Sequence, residues 1–201
     1  MAIILVLGTR NAKKRQEIEE ILGDLGLDLR DLRNWPDAPE VVEDGATFED
    51  NARKKASELA RVLHHCVLGE DSGLVVPALG GRPGVFSARY AGRQGDDAAN
   101  NARLLAELAP LPDDQRAAYY VCTAALANPE GEVQAVTEGR CHGRIIRDFR
   151  GQGGFGYDPL FLIPEYHRTF GELSPLVKHA LSHRARALAK LRPALWTLGN
   201  K

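Results

Sequence analysis

The sequence predicts an α/β fold built on a mixed β-sheet. Two observations carry that reading. Short apolar runs alternate along the chain with segments of helical period, and one pair of candidate strands is joined by the four-residue turn Asn128-Pro129-Glu130-Gly131, as in an antiparallel hairpin. The 201 residues and 44% hydrophobic content suffice for one sizeable core, and no repeat, low-complexity stretch or linker interrupts them, so a single domain over 1–201 is expected.

Taken in order, residues 2–7 form a buried strand, and a helix follows with Ile18, Ile21, Leu22 and Leu25 at helical spacing. Residues 27–32 form a second strand, followed by a loop with Pro36 and Pro39. Thr47 and Asp50 make a capping box, with Asp in place of the usual Glu or Gln, for a helix running to about His64 with Ala52, Ala56, Leu59, Ala60 and Leu63 on one face. Next come the apolar runs 66–68 and 74–76, with Gly69-Glu70-Asp71-Ser72-Gly73 between them as a strand end or tight turn. A glycine-rich loop over 78–85 precedes a helix over 96–108; strands follow over 117–127 and 132–140, with 144–148 extending the sheet. The second glycine cluster, 151–156, leads into a short strand over 160–163, and a last helix carries Ala187, Leu188, Leu191 and Leu195.

Composition excludes several classes. Lys+Arg at 26 against Asp+Glu at 27 gives a net charge of -1, without the basic excess of a general nucleic-acid binder. The three cysteines, Cys66, Cys122 and Cys141, form no Cys-x-x-Cys, so they read as small core residues rather than a disulfide framework or zinc site. The apolar start is too short to span a membrane and lacks a charged leader region, so a soluble cytoplasmic protein with no membrane partner is expected.

The chemistry concentrates at Glu70-Asp71. Burying two adjacent carboxylates without partners costs several kcal/mol, so a divalent cation, a lysine or a solvent-filled cleft must offset them; the bland alternative is a polar turn. The turn Gly8-Thr9-Arg10-Asn11-Ala12-Lys13-Lys14 joins a strand to a helix, the geometry that aims backbone N–H groups at an anion. Lys13 and Lys14 oppose the helix dipole there and make better sense beside a phosphate; the alternative is a solvated loop.

These stretches together resemble the inosine triphosphate pyrophosphatase (Ham1-like) family, enzymes that clear non-standard purine nucleoside triphosphates. The resemblance rests on six motifs in order: Thr9-x-Asn11-x-x-Lys14; Glu43-x-Gly45-x-Thr47-Phe48-x-x-Asn51-Ala52-x-x-Lys55; Asp71-Ser72-Gly73-Leu74; Pro83-Gly84-x-x-Ser87-Ala88-Arg89-Tyr90; Gly153-Gly154-Phe155-Gly156-Tyr157-Asp158-Pro159; and Lys178 with Ser182-His183-Arg184. Two positions depart from it: Arg10 stands where many relatives have glycine, and Glu70 where many have aspartate.

The resemblance implies a long twisted mixed sheet flanked by helices, in two lobes with a central substrate groove, and a homodimer. It also implies Mg²⁺-dependent cleavage of ITP, dITP and XTP between the α and β phosphates. Glu43 and Asp71 suit Mg²⁺, with Glu40 and Glu70 as competitors. Asp71 is the candidate proton acceptor for the attacking water, with Glu70 second. Lys14, Lys55 and Lys178 are candidates to stabilise phosphate charge. The resemblance adds Thr9, Arg10, Asn11, Ala12, Lys13, Ser72, Gly156, Tyr157 and Asp158 to the substrate-contacting positions, and Phe155 would stack on the purine. His183 and Arg184 can donate to a 6-oxygen, which adenine lacks. Two rival readings remain open: a non-catalytic nucleotide-binding regulator, and a pyrophosphatase for another modified base.

Overall fold

The structure, a computed structural model, describes residues 3–199. Its elements are β1 (Ile4–Leu7), α1 (Ala12–Leu22), β2 (Asp28–Asp31), α2 (Phe48–Leu63), β3 (Cys66–Val75), α3 (Asp97–Leu108), β4 (Ala117–Ala127), β5 (Val133–Ile145), β6 (Phe161–Ile163), β7 (Arg168–Thr169), α4 (Pro175–Leu181) and α5 (His183–Gly199). Among the described residues the strands form one seven-stranded sheet in the order β2-β1-β3-β4-β5-β6-β7. β1 runs parallel to β2 and β3, whereas β5–β6 and β6–β7 are antiparallel, so the sheet is mixed as expected. Ala2, included in the expected first strand, lies outside the described residues. No helix among the described residues is long and apolar enough to cross a membrane.

Local chemistry explains the helix boundaries. Asn11 is extended, and its side-chain oxygen accepts from the backbone N–H groups of Lys13 and Lys14, starting α1. Thr47 and Asp50 form the expected capping box of α2, which ends at His64 in the left-handed region, φ 54°. Asp96 caps α3 through the N–H of Ala99.

The largest departure from expectation is β3. The Glu70–Gly73 segment does not turn; it continues one ten-residue strand. The pleat sends successive side chains to opposite faces, so adjacent polar residues meet different partners and need no exit to solvent.

The chain comprises two compact units: the first contains residues 1–71, 122–139 and 183–201, the second 72–121 and 140–182. In the first unit the sheet is covered on both faces. One face packs Leu5, Leu7, Cys66, Leu68, Cys122 and Ala124 against Ile18 and Leu22 of α1 and Leu188, Leu191 and Leu195 of α5. The other packs Val6, Val67 and Ala125 against Ala52, Ala56, Leu59 and Ala60 of α2. The second unit has its own core, with Leu74, Leu104, Leu108, Tyr120, Phe161 and Phe170 at its centre. Its buried Arg116 guanidinium is held by the carbonyls of Leu108, Ile145 and Ile146 at 2.7, 2.8 and 3.2 Å.

Small residues set how closely α2 approaches β3. A Cβ on Gly69 would lie 2.6 Å from both the carbonyl oxygen of Ala52 and the nitrogen of Ala56, atoms of the helix backbone that cannot swing aside. Gly69→Ala is therefore expected to destabilise the protein by about 1–3 kcal/mol, as overpacking does. Urea denaturation checks this; an unchanged midpoint would show that α2 can retreat from the strand without loss.

Candidate functional site

The pleat of β3 separates the two central carboxylates. Glu70 continues the row of Cys66 and Leu68 that faces α1 and α5, and Asp71 continues the row of Val67 and Gly69 that faces α2. Both are buried, at 4% and 5% exposure, so each depends on the partners its own face supplies.

Glu70 meets cations. Lys14 of α1 lies 2.7 Å from its Oε1, and Arg184 of α5 donates to its Oε2 at 3.0 Å. The Cys122 thiol, from β4, also donates to Oε2 at 3.2 Å. Arg184 is itself 1% exposed and pairs through Nη1 with Glu17, a second buried acid on α1. Burial opposes ionisation of Glu70, but Arg184 and then Lys14 outweigh it and hold the carboxyl well below its ordinary 4.5. Burial, and then Glu70, push the Cys122 thiol up, which keeps it protonated as a donor.

Asp71 meets a weaker set. Asn51 of α2 donates to its Oδ2 at 2.9 Å, and the Asn51 amide oxygen accepts from the backbone of Gly45 at 2.8 Å. One amide thus ties Asp71 to the segment that carries Glu43. Lys55, one turn further along α2, bonds the backbone oxygen of Glu70 at 2.9 Å and Glu43 Oε1 at 2.9 Å. Burial raises the Asp71 pKa; Lys55 and Asn51 pull it down and nearby Glu43 pushes it up, for a net rise. The two neighbours therefore diverge: the cations hold the Glu70 carboxyl down, while burial raises that of Asp71.

The turn before α1 is exposed at Arg10, Asn11, Ala12 and Lys13 and partly buried at Thr9 and Lys14. Thr9 Oγ1 accepts from the Asn11 backbone at 3.1 Å, and Arg10 Nη2 donates to the carbonyl of Ala38 at 2.6 Å. His183 is buried at 5% exposure and opens α5. That helix end approaches β5 closely because Gly139 has no side chain; a Cβ there would lie 2.3 Å from the His183 oxygen. Glu40 is exposed, and no bond or ion pair of its side chain joins it to this cluster.

Ser72, Phe155, Gly156, Tyr157, Asp158 and Lys178 belong to the second unit. There Asp158 is the hub. Its Oδ2 accepts from the backbone of Phe155 at 2.8 Å and from Lys178 Nζ at 2.7 Å. The left-handed Gly154, φ +74°, leaves room for that carboxylate, since a Cβ would lie 2.0 Å from Oδ2. Lys178 also sits over the Phe155 ring, 4.8 Å from its centre. Lys178 thus touches both the Asp158 carboxylate and the Phe155 ring. The Tyr157 side chain turns into the core, 4% exposed, and donates to the Ser87 carbonyl at 2.8 Å, leaving its backbone as the part that borders Phe155 and Gly156.

Glu17, Asn51 and Cys122 were not singled out from the sequence as site residues. Asn51 carried a signal in its motif, and Glu17 carried one as an acid among the apolar positions of α1. Cys122 carried none beyond strand alternation.

Replacing Glu70 tests the cluster. Glu70→Gln removes the anion and leaves Arg184 and Lys14 short of a partner, so it should cost about 3–5 kcal/mol near neutral pH. The wild-type carboxyl is depressed in the folded state, so its contribution is complete above its unfolded value and fades as pH falls through the folded one. The gap between wild type and variant should therefore narrow below about pH 4.5. Denaturation curves from pH 7 downward check this; a small gap that does not vary with pH would refute it.

Against known proteins, residues 5–194 match the model of the Ham1 family. The dITP/XTP pyrophosphatase of Rhodopirellula baltica is 54% identical over 194 residues, covering 96% of this chain and 93% of that one. That of Geobacter sulfurreducens is 51% identical over 191 residues, covering 95% and 96%. The structure of a HAM1 protein from Coxiella burnetii superposes with a TM-score of 0.87 at 38% identity, covering 96% and 98%. A nucleoside-triphosphatase, dITP/XTP pyrophosphatase, from Mycobacterium abscessus gives 0.77 at 47% identity, covering 96% and 100%. With its motifs, its mixed sheet and these matches in agreement, the chain belongs to the Ham1 family.

Proposed function

We propose that this protein hydrolyses dITP, XTP and ITP to the nucleoside monophosphate and pyrophosphate, clearing non-standard purines from the cytoplasmic nucleotide pool. One observation carries the reading: Asp71, next to an anion held by two cations, is itself raised and aimed away from them. A nucleotide-binding regulator would need no such carboxylate.

In this reading Asp71 accepts a proton from the water that adds to the α-phosphorus. The bond from that phosphorus to the bridging oxygen breaks, and pyrophosphate leaves with the electron pair. Lys14, Lys55 and Lys178 stabilise negative charge on the phosphates, with the Thr9–Lys13 turn offering backbone donors. Asn51 holds the Asp71 carboxylate in one orientation.

Glu43 and Asp71 fit a divalent cation. Glu43 lies near enough to raise the Asp71 pKa, a repulsion a cation would relieve. Among the described residues no group of three or more His, Cys, Asp or Glu side chains is placed to hold a metal ion. Mg²⁺ takes one or two carboxylates and fills its remaining positions with water and phosphate oxygens. Bound there, Mg²⁺ would neutralise phosphate charge.

For the base, Phe155 supplies a stacking face, and Ser72, Gly156, Tyr157 and Asp158 are further substrate contacts. His183 and Arg184 supply donors to the 6-oxygen. The carboxylates of Glu70 and Glu17 orient the Arg184 guanidinium, a group with N–H donors only. Adenine would present a donor to these donors. A homodimer follows from the family resemblance.

Pyrophosphate release measured on dITP, XTP, ITP, GTP, ATP and dUTP tests the reading. We expect release from the first three with Mg²⁺, loss of activity with EDTA, and much slower release from ATP and dUTP. Preference for ATP or dUTP would overturn it. Asp71→Asn keeps the shape and the Asn51 contact but not the basicity, so turnover should fall about 10²–10⁴-fold. Binding of dITP should survive; a variant within a few-fold of wild type would remove Asp71 from the proton-accepting role.

A further inference from the structure

The loop that carries Phe155 is held by a helix that none of the site motifs includes. Two residues one turn apart on α3 grip a single residue of that loop through both of its backbone polar groups. Asp97 Oδ2 accepts from the Gly156 N–H at 2.8 Å, and Asn101 Nδ2 donates to the Gly156 carbonyl at 2.9 Å. Positions i and i+4 share one helix face, which lets them act as a pair.

Several features mark this as a specific device. Gly156 has φ +62° with nothing within 4 Å of where a Cβ would sit. The site therefore requires a backbone conformation, not a lack of space, and the grip fixes that conformation on both sides of one residue. Asn101 is 3% exposed and also donates to the Asp97 carbonyl at 2.8 Å. Two carbonyl oxygens thus dictate its amide orientation, because the flipped amide would set oxygen against oxygen. The cost is visible: its buried Oδ1 has no hydrogen-bond partner. An apolar residue would avoid that cost, so the position is one where the donors are needed. The neighbouring Asn100, also buried, does the same for a different segment, accepting from Ala91 N–H at 2.7 Å and donating to the Ala88 carbonyl at 3.3 Å.

We propose that Asp97 and Asn101 are positioning residues for substrate: by clamping both backbone polar groups of Gly156 they hold the loop backbone from which the Phe155 ring meets the purine. The inference deepens the proposed function and rests on its reading of Phe155. Asp158 holds the Phe155 N–H on one side of the ring's residue and the α3 pair holds the next peptide on the other. The backbone from which the ring projects is therefore held on both sides. Losing the clamp lets it wander and weakens stacking of any purine, whatever its 6-substituent.

The test is a double-mutant cycle on pyrophosphate release from dITP and XTP, with nucleotide binding measured in parallel. Stacking on an aromatic ring is worth about 5- to 100-fold in affinity, and a misplaced ring keeps part of it. Asp97→Ala and Asn101→Ala should each raise KM about three- to tenfold for both substrates, with kcat within about twofold, a fraction of the stacking effect. In a Phe155→Ala background neither should add to the loss, since the ring they position is gone. A merely structural role would instead lower the active fraction, and so kcat, and would add in full to Phe155→Ala. Asp97 is exposed, so Asp97→Ala carries the test even if Asn101→Ala does not fold. An active wild type whose KM is unmoved by Asp97→Ala, or full additivity, overturns this inference alone. A wild type that neither hydrolyses nor binds purine triphosphates overturns the proposed function and this inference with it.

Discussion

The site depends on one buried anion. Glu70 is removed from water at the end of the first unit's share of β3, and it stays charged only because Lys14 and Arg184 flank it. Those cations come from different helices, so the ion cluster is also a joint. It ties the start of α1 and the start of α5 to the same point on the sheet. A cation in the first turn of a helix opposes the dipole, and α1 has no acid there to soften it. Glu70 supplies that acid from outside the helix. Truncating one member would leave the others buried without full compensation, which is why such clusters fix a geometry even where they add little net stability.

The alternation of β3 lets one strand run two kinds of carboxyl chemistry side by side. Adjacent residues have side chains on opposite faces, so the cations that lock Glu70 act on Asp71 only at longer range. Asp71 is instead met by the neutral amide of Asn51 and by Lys55, which is shared with Glu43. A turn at this position, bringing both carboxylates to one side, would have merged their titrations.

Much of this was legible in the sequence. Apolar runs and helical spacing located nearly every element, and the α2 capping box was readable from Thr47 and Asp50 alone. Boundaries that depend on long-range pairing were not: β5 runs to Ile145 and joins what read as separate segments, because its pairing with β6 extends it. The continuity of β3 was hidden for a similar reason. Glu-Asp-Ser-Gly is turn-like composition, and only partners distant in sequence, such as Arg184 for Glu70 and Ser87 Oγ for the Leu74 N–H, make it a strand. Candidate site residues were found where charge sat in apolar sequence. Cys122, which donates to Glu70, and Asn101, which donates to Gly156, look like ordinary strand and helix residues until their partners are known.

The burial of every cysteine gives the protein built-in probes of its own breathing. Cys66 and Cys122 lie in the first unit and Cys141 in the second, and all three are buried. A thiol reagent can reach each only when the structure around it opens, so its labelling rate measures the population of that opening. Because Cys122 touches Glu70, its modification would report on the ion cluster itself, while Cys141 reads the other unit. Mass-resolved alkylation of the native chain could thus map opening in each unit with no substitution introduced.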